Sequence, residues 1–268
     1  MLEPVESAYR PEMSRRYDQD FEAIFGGADR GDLEFFTSLA GLAEGPVCEV
    51  GAGTGRVLLP VAAAAAGASV VGVEPSSAMR EVMLARVGGA DPRVGARIAV
   101  RDGSFTDLPL ADRSQALVYS AFRSFQHVLD SDGQLAGLRE CLRVLRPGGT
   151  LAIDLFDPDY RLLHDTEPSV VARYRREDRA IVERWDARRV DRVSQRVDVD
   201  FRWVVRRGLG PVLEDVRAHY AIRYTFPHEL LHLLARAGFP AVQLYGDYDR
   251  SPLGPTPREL VVVATAPG

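Results

Sequence analysis

The sequence predicts an α/β fold, a doubly wound and mostly parallel sheet interrupted by a second, antiparallel one. Three observations carry this. From Pro46 to Phe156, short apolar runs alternate with helical segments, the pattern of parallel strands joined by crossover helices. The first run leads into a glycine-rich turn, Cys48-Glu49-Val50-Gly51-Ala52-Gly53-Thr54-Gly55-Arg56, and then a helix. Between Asp157 and Tyr224 the alternation gives way to period-two patterning.

Each element has its own signal. In 1–25, Tyr17, Phe21 and Ile24 recur at helical spacing among charges, with Tyr9 ahead of them. This is an amphipathic helix that either packs on the domain or lies over a ligand as a lid. Gly26 to Gly31 is a turn. Asp32 to Leu42 is helical, with Leu33, Phe36, Leu39 and Leu42 on one side. The first strand starts at Pro46-Val47, and the second, Ser69 to Val73, ends in Glu74. Pro75-Ser76-Ser77 supplies a turn and a cap for a helix that runs to Arg86. Ile98 to Arg101 is the third strand, followed by Asp102-Gly103-Ser104-Phe105. Gln115 to Ser120 is the fourth, leaving into Ala121 to Val128. A helix from Gly133 to Leu145, the turn Arg146-Pro147-Gly148-Gly149 and a fifth strand from Thr150 to Phe156 come next. In the interruption, Ala172 to Trp185, Arg196 to Val205 and Val216 to Tyr224 read as three antiparallel strands, with Gly208 to Pro211 the sharpest turn. A helix from Phe226 to Phe239 and strands Ala241 to Tyr245 and Leu260 to Thr265 complete a seven-stranded sheet. The chain thus divides into a helical segment 1–31, a ligand-binding core 32–156, an antiparallel insertion 157–225 and a C-terminal completion 226–268.

Glycines at every second position let the backbone bend and bring its N–H groups against a ligand. The following helix aims its N-terminal amides at the same point. Glu74, at the end of the second strand, lies where a carboxylate accepts both hydroxyls of a ribose. Two details set this turn apart from a dinucleotide site. Arg56 stands where G-x-G-x-x-G has its third glycine, and Glu49 directs a negative charge into the turn, which repels a pyrophosphate and attracts an ammonium group. A ligand with an amine at one end and a ribose at the other fits S-adenosylmethionine better than NAD.

These residues resemble motif I (E-x-G-x-G-T-G) of the class I S-adenosylmethionine-dependent methyltransferases, whose fold is Rossmann-like. The L-R-P-G-G turn and the A-R-A-G-F helix end are similar to that family too. The resemblance implies cofactor contacts at Glu49, Gly51, Ala52, Gly53, Gly55, Glu74, Pro75, Met79 and Ser120. It further implies an acid, Asp102, with Gly103 and Ser104, at the adenine amine. Phe122 to Val128 resembles the S-x-x-H loop of amino-sugar N,N-dimethyltransferases of antibiotic pathways, with lincosamide-type enzymes as near neighbours. From that likeness His127 and Tyr17 are the expected catalytic pair, and Tyr9, Tyr17, Phe122, Phe125 and His127 the expected acceptor site. Phe125-Gln126 is bulkier than that loop ordinarily carries. His127 titrates near neutrality when unperturbed, which suits proton handling; a hydrogen-bonded structural histidine is the competing reading.

Methyl transfer from a sulfonium chiefly requires alignment and exclusion of water, with a base where the acceptor must lose a proton. The expected function is N-methylation of a small-molecule amine on a sugar-like or natural-product scaffold. O-methylation of a hydroxyl is the alternative. From other classes come a non-catalytic nucleotide-binding protein and a zinc metallohydrolase using His228-Glu229-Leu230-Leu231-His232, which matches H-E-x-x-H. Against zinc, Ala235 stands where metzincins need glycine, and no histidine follows His232.

Composition narrows the partners. A net charge of −5 over 268 residues gives a nucleic acid no electrostatic support. Every basic residue is arginine, which reads as coding bias. The two cysteines, Cys48 and Cys141, fall in an apolar strand and a helix, where buried thiols are expected rather than a metal site. No apolar leader begins the chain, and Ala62 to Ala66 is too short for a membrane span. A cytoplasmic protein without metal follows, with the insertion either roofing the acceptor site or joining subunits of a homo-oligomer.

Overall fold

The structure is a computed structural model and describes residues 9, 11–26, 30–65, 67–159, 161, 163–208 and 210–268. The N-terminal residues before Tyr9, residues 27–29 of the Gly26 to Gly31 turn, Ala66 of the alanine run and Leu209 of the Gly208 to Pro211 turn lie outside the described residues.

The main sheet has the order β10 (Ala241–Tyr245), β11 (Leu260–Thr265), β5 (Leu145–Leu155), β4 (Gln115–Ser120), β1 (Val47–Val50), β2 (Val70–Val73) and β3 (Ile98–Arg101). Its centre is β1, paired in parallel with β2 and β4. All four residues of β1 and all six of β4 are buried. Both of their faces are covered by helices, so their sequences run apolar instead of alternating. β3 forms one edge. β5, β11 and β10 extend the other side, β11 running antiparallel to both of its neighbours. Strand order reverses between β1 and β4, which opens a crevice at the carboxyl ends of those strands.

Helices α1 (Pro11–Phe25), α2 (Asp32–Leu42), α3 (Leu58–Ala64), α4 (Ser77–Gly88), the single turn α5 (Pro92–Gly95), α6 (Ser131–Val144) and α7 (Pro227–Ala237) follow in chain order. Side chains set several of their ends. Ser76 Oγ accepts from Met79 N–H at the start of α4, and Asp130 accepts from Gly133 N–H at the start of α6. Gly238, at φ +108°, closes α7 with N–H bonds back to Leu234 and Ala235. One face of the sheet packs on α6 and α7, the other on α2 and α3.

The insertion is a four-stranded antiparallel sheet in the order β6 (Thr166–Arg175), β7 (Ile181–Asp191), β8 (Arg196–Arg206) and β9 (Val212–Arg223). The sequence predicts three strands there, merging β6 and β7. The missed hairpin turns at 176–180 with no glycine or proline: Arg179 takes φ +64°, and Asp178 accepts from Ala180 N–H. Two other boundaries differ. β5 begins at Leu145, so the Arg146 to Gly149 turn is an irregular stretch of the strand, with a register shift against β4 and Gly148 at φ +71°. On α2 the buried face is Phe35, Phe36 and Ala40, while Leu33 and Leu42 are exposed; Phe36 lies against Tyr119 and Tyr248.

Candidate cofactor and acceptor site

A cavity of about 490 Å³ opens at the carboxyl ends of β1, β2 and β4, under α1 and the insertion. Its size falls within the range of small-molecule sites.

The glycine turn forms its floor. Gly51 and Ala52 both donate N–H to Val73 O (2.8 and 3.1 Å), tying the turn to the end of β2. Gly51 has φ +73°, and a Cβ there would sit 2.5 Å from Ser124 Cβ, so only glycine fits. Gly53, at φ +55°, has nothing within 4 Å of where a Cβ would be, so the backbone is bare toward the cavity. Gly55 instead admits Met83 and Leu59, and Gly103 sits against Pro109 and Asp107; neither lines the cavity.

Two buried carboxylates face this floor. Glu74 accepts N–H from Gly53 and Ser76, both at 2.9 Å, one on each oxygen. Each oxygen keeps a further lone pair for a hydroxyl. Glu49 accepts from Tyr119 Oη at 2.9 Å, the one hydrogen bond it makes among the described residues. Burial pushes its carboxyl up to about 8, against the pull of Tyr119 and Arg56. Such a group takes up a proton or a cation. Pro75, Met79, Ser104, Phe105 and Thr106 continue the wall beyond Glu74. Asp102 does not: it pairs with Arg80 at 2.8 Å with its side chain 70% exposed. Ser120 is buried behind the wall, its Oγ without a hydrogen-bond partner among the described residues.

S-adenosylmethionine fits this donor set. Glu49 would hold the ammonium end, the bare turn at Gly53 the middle, and Glu74 the ribose. Met79 and Phe105 would flank the base, with Ser104 and Thr106 as polar neighbours.

The loop after β4 is shaped by a third carboxylate. Phe122 and Arg123 both have positive φ (54° and 67°), an uncommon state for large side chains. Asp154, fully buried in β5, accepts N–H from both (2.9 and 2.7 Å) and the hydroxyl of Tyr248. This turns Phe122 into the cavity and sends the chain into a 3₁₀ turn, Ser124–His127. Phe125, expected at the acceptor, is instead fully buried in the main core against Phe105, their centroids 5.2 Å apart.

His127 is half-buried on the cavity wall. Its Nδ1 lies 3.2 Å from Ala221 O and its Nε2 2.8 Å from Tyr9 Oη. A carbonyl only accepts, so Nδ1 carries the hydrogen and Nε2 accepts from the Tyr9 hydroxyl. Burial depresses the imidazole to about 4, so it is neutral at pH 7. Tyr220 stacks over Tyr9 (6.5 Å), and Tyr17 meets Tyr9 and Phe122 edge-on (6.4 Å each).

Helix α1 closes the cavity. Met13, Tyr17, Phe21, Ile24 and Phe25, at helical spacing, face inward. Asp18 accepts from Thr54 Oγ1 (2.9 Å) and pairs with Arg86, both in the core domain. Asp20, two residues on and therefore about 200° around the helix, is buried against the insertion. There it accepts from Tyr174 Oη, Trp203 Nε1 and Arg184 Nη1 (2.8, 2.8 and 3.3 Å). Arg56 pairs with Asp32 and lies 4.2 Å from the Phe21 ring centroid. The insertion adds Arg184, Asp186, Phe201, Tyr220 and Ile222 to the walls.

The structure therefore brings Tyr9, Tyr17, Glu49, Gly51, Ala52, Gly53, Glu74, Pro75, Met79, Ser104, Phe122 and His127 around one cavity, and leaves Gly55, Asp102, Gly103, Ser120 and Phe125 off its walls. Arg56, Thr54 and Asp20 also meet the site, although none of them is among the residues expected there. The position of Arg56 within the glycine turn was the available signal for the first; Asp20 had none. On α7, His228 and His232 are exposed, and Glu229 is engaged by Arg223 and Gln195 (2.5 and 2.8 Å). No three His, Cys, Asp or Glu side chains cluster for a metal among the described residues. No described helix is long and apolar enough to cross a membrane.

The chain is similar to known methyltransferases in sequence and in fold. Residues 47–149 match the family model described as a methyltransferase domain. An uncharacterised methyltransferase of Geobacillus thermodenitrificans is 29% identical over 135 residues, half of this chain and 56% of that protein. The chain thus spans little more than half the length of the curated relatives it matches. Among solved structures, the CcbJ methyltransferase from Streptomyces caelestis is 26% identical, with TM-score 0.80 over 98% of this chain and 99% of that one. The sugar N-methyltransferase KedS8 from a Streptoalloteichus species is 19% identical, with TM-score 0.71 over 94% and 93%, a likeness of fold alone.

Proposed function

We propose that this chain, whose residues 47–149 are a methyltransferase domain, moves the methyl group of S-adenosylmethionine to an amine of a small-molecule acceptor. The observation that carries the reading is one continuous cavity with two different ends. At one end Glu49, Gly53 and Glu74 match the cofactor's charges and hydroxyls. At the other, Tyr9, Tyr17, Phe122, His127 and Tyr220 form an aromatic chamber under α1 and the insertion. The resemblance of the Phe122 to Val128 loop to that of amino-sugar N,N-dimethyltransferases favours an amine over a hydroxyl.

When bound, the cofactor supplies an activated methyl on sulfur. The chain's own residues then have three tasks. The glycine turn and both carboxylates fix the donor, and Phe122 with Tyr17 confines the acceptor, so that the two ligands meet in line. Helix α1 excludes water. Tyr9 and His127 take the proton: Tyr9 Oη accepts it from the acceptor nitrogen while passing its own to His127 Nε2, leaving an imidazolium whose Nδ1–H stays on Ala221 O. His127 is neutral and its Nε2 already accepts the Tyr9 hydroxyl, which is the geometry a relay through that hydroxyl needs.

The test is incubation with methyl-labelled S-adenosylmethionine and a panel of amino sugars and matched hydroxy sugars, read as a 14-dalton gain on the acceptor. Transfer to amines that is lost in His127→Ala with Tyr17→Phe, while cofactor affinity holds, supports the reading. Methylation of the hydroxy sugars alone would replace amine by hydroxyl.

A further inference from the structure

The acceptor end carries one charged device that methyl transfer itself does not use. Arg184 and Asp186, two residues apart on β7, both face the cavity. Asp186 receives the guanidinium in a forked pair (Nε to Oδ1 3.0 Å, Nη2 to Oδ2 3.2 Å). Nη1 of the same guanidinium goes to Asp20, and its carbon lies 4.1 Å from the Phe201 ring centroid. Arg184 is thus held on three sides. Asp20 is satisfied by three donors and has only 3% of its side chain exposed, whereas Asp186 keeps 22% and meets no partner but Arg184 among the described residues. Here one guanidinium stands between two carboxylates, beside Met13, Phe201, Tyr220 and Ile222; Arg123 also lines the cavity, Arg16 acts electrostatically on Asp20, and Arg188 does so on Asp186. Arg188 stands further along β7, outside the lining. A carboxylate accepts about four hydrogen bonds, and the fork uses two.

We propose that Asp186, held in place by Arg184, is the residue that selects a cationic acceptor, gripping an ammonium group of the incoming molecule. This rests on reading the insertion side of the cavity as the acceptor site. It makes the four-stranded insertion a specificity element, supplying the counter-charge that the core domain spends on the cofactor. An acceptor with a second amine, or one that docks as its ammonium before giving its proton to Tyr9, satisfies the open lone pairs. An acceptor carboxylate would meet Asp186 as a like charge.

The test uses three fragments of one shape against the S-adenosylhomocysteine complex of the full chain: benzylammonium, benzyl alcohol and benzoate, titrated by NMR at pH 7. The wild type is expected to bind benzylammonium at least fivefold more tightly than benzyl alcohol and benzoate weakest. Asp186→Asn, which keeps a hydrogen bond to Arg184, is expected to erase that preference while S-adenosylhomocysteine affinity and melting temperature hold. A preference unchanged in Asp186→Asn overturns the assignment, as does a wild type that favours benzyl alcohol or benzoate; the wild-type ranking alone decides the matter if the variant fails to fold. An intact, Asp186-dependent preference in a protein that methylates no amine would strike the transfer reading and leave the cation site standing. Amine methylation with no such preference would do the reverse.

Discussion

Single residues set the chemistry here through the water they have lost. Glu49 and His127 are shifted in opposite senses by the same cause, burial that disfavours the charged form. Each leaves a signature in the pH dependence of the ligand-free protein. Glu49 moves from 4.5 unfolded to about 8 folded, so the folded state binds the extra proton and stability falls as pH rises through that window. His127 moves from 6.5 to about 4, so stability rises with pH between those values. The two slopes oppose each other from about 4.5 to 6.5, leaving Glu49 alone from about 6.5 to 8. The melting temperature is expected to fall across that last interval, and Glu49→Gln to flatten it. Cofactor affinity is expected to rise over the same interval as Glu49 ionises. A pH-independent affinity in the wild type would show that Glu49 does not face the cofactor's ammonium group.

At the scale of elements, buried carboxylates act as clamps between segments distant in sequence. Asp154 holds the Phe122–Arg123 turn in its uncommon backbone state through two N–H bonds. Asp154→Ala leaves those donors and the Tyr248 hydroxyl unpaired and is expected to cost about 2–4 kcal/mol of unfolding free energy by urea titration. Asp154→Asn, which keeps an acceptor, should cost less than half of that. Asp20 does the same for α1, and Asp20→Ala is expected to cost about 2–3 kcal/mol. It should also expose 11–25 to limited proteolysis; an unchanged digestion rate would mean that α1 is held by its apolar face alone. These clamps explain what the sequence concealed. The glycine turn, Glu74 and the alternating strands are local patterns, and each was legible. Asp20 and Asp154 look like ordinary acids until the fold brings them their donors. Phe125 misled for the same reason: adjacent residues of a 3₁₀ turn point in different directions, and nothing local says that Phe122 enters the cavity while Phe125 enters the core. The β6–β7 hairpin hid because aspartate and arginine, not glycine, make its turn.

For the molecule as a whole, the work is divided between two sheets. The parallel sheet builds the cofactor end from residues close together in sequence, so Glu49, Gly53 and Glu74 could be read directly. The acceptor end is assembled from α1, the loop after β4 and three strands of the insertion, between which no sequence spacing is fixed. Arg184, Asp186, Phe201 and Tyr220 converge only because β7, β8 and β9 lie in register above the main sheet. The central claim is that the cavity is shaped for S-adenosylmethionine, and calorimetric titration tests it most directly. The wild type is expected to bind S-adenosylmethionine and S-adenosylhomocysteine one to one. Glu74→Ala should weaken both at least tenfold, about 1.4 kcal/mol, without lowering the helical content seen by circular dichroism. Binding of NAD in place of the adenosyl ligands, or adenosyl binding indifferent to Glu74→Ala, would contradict the account.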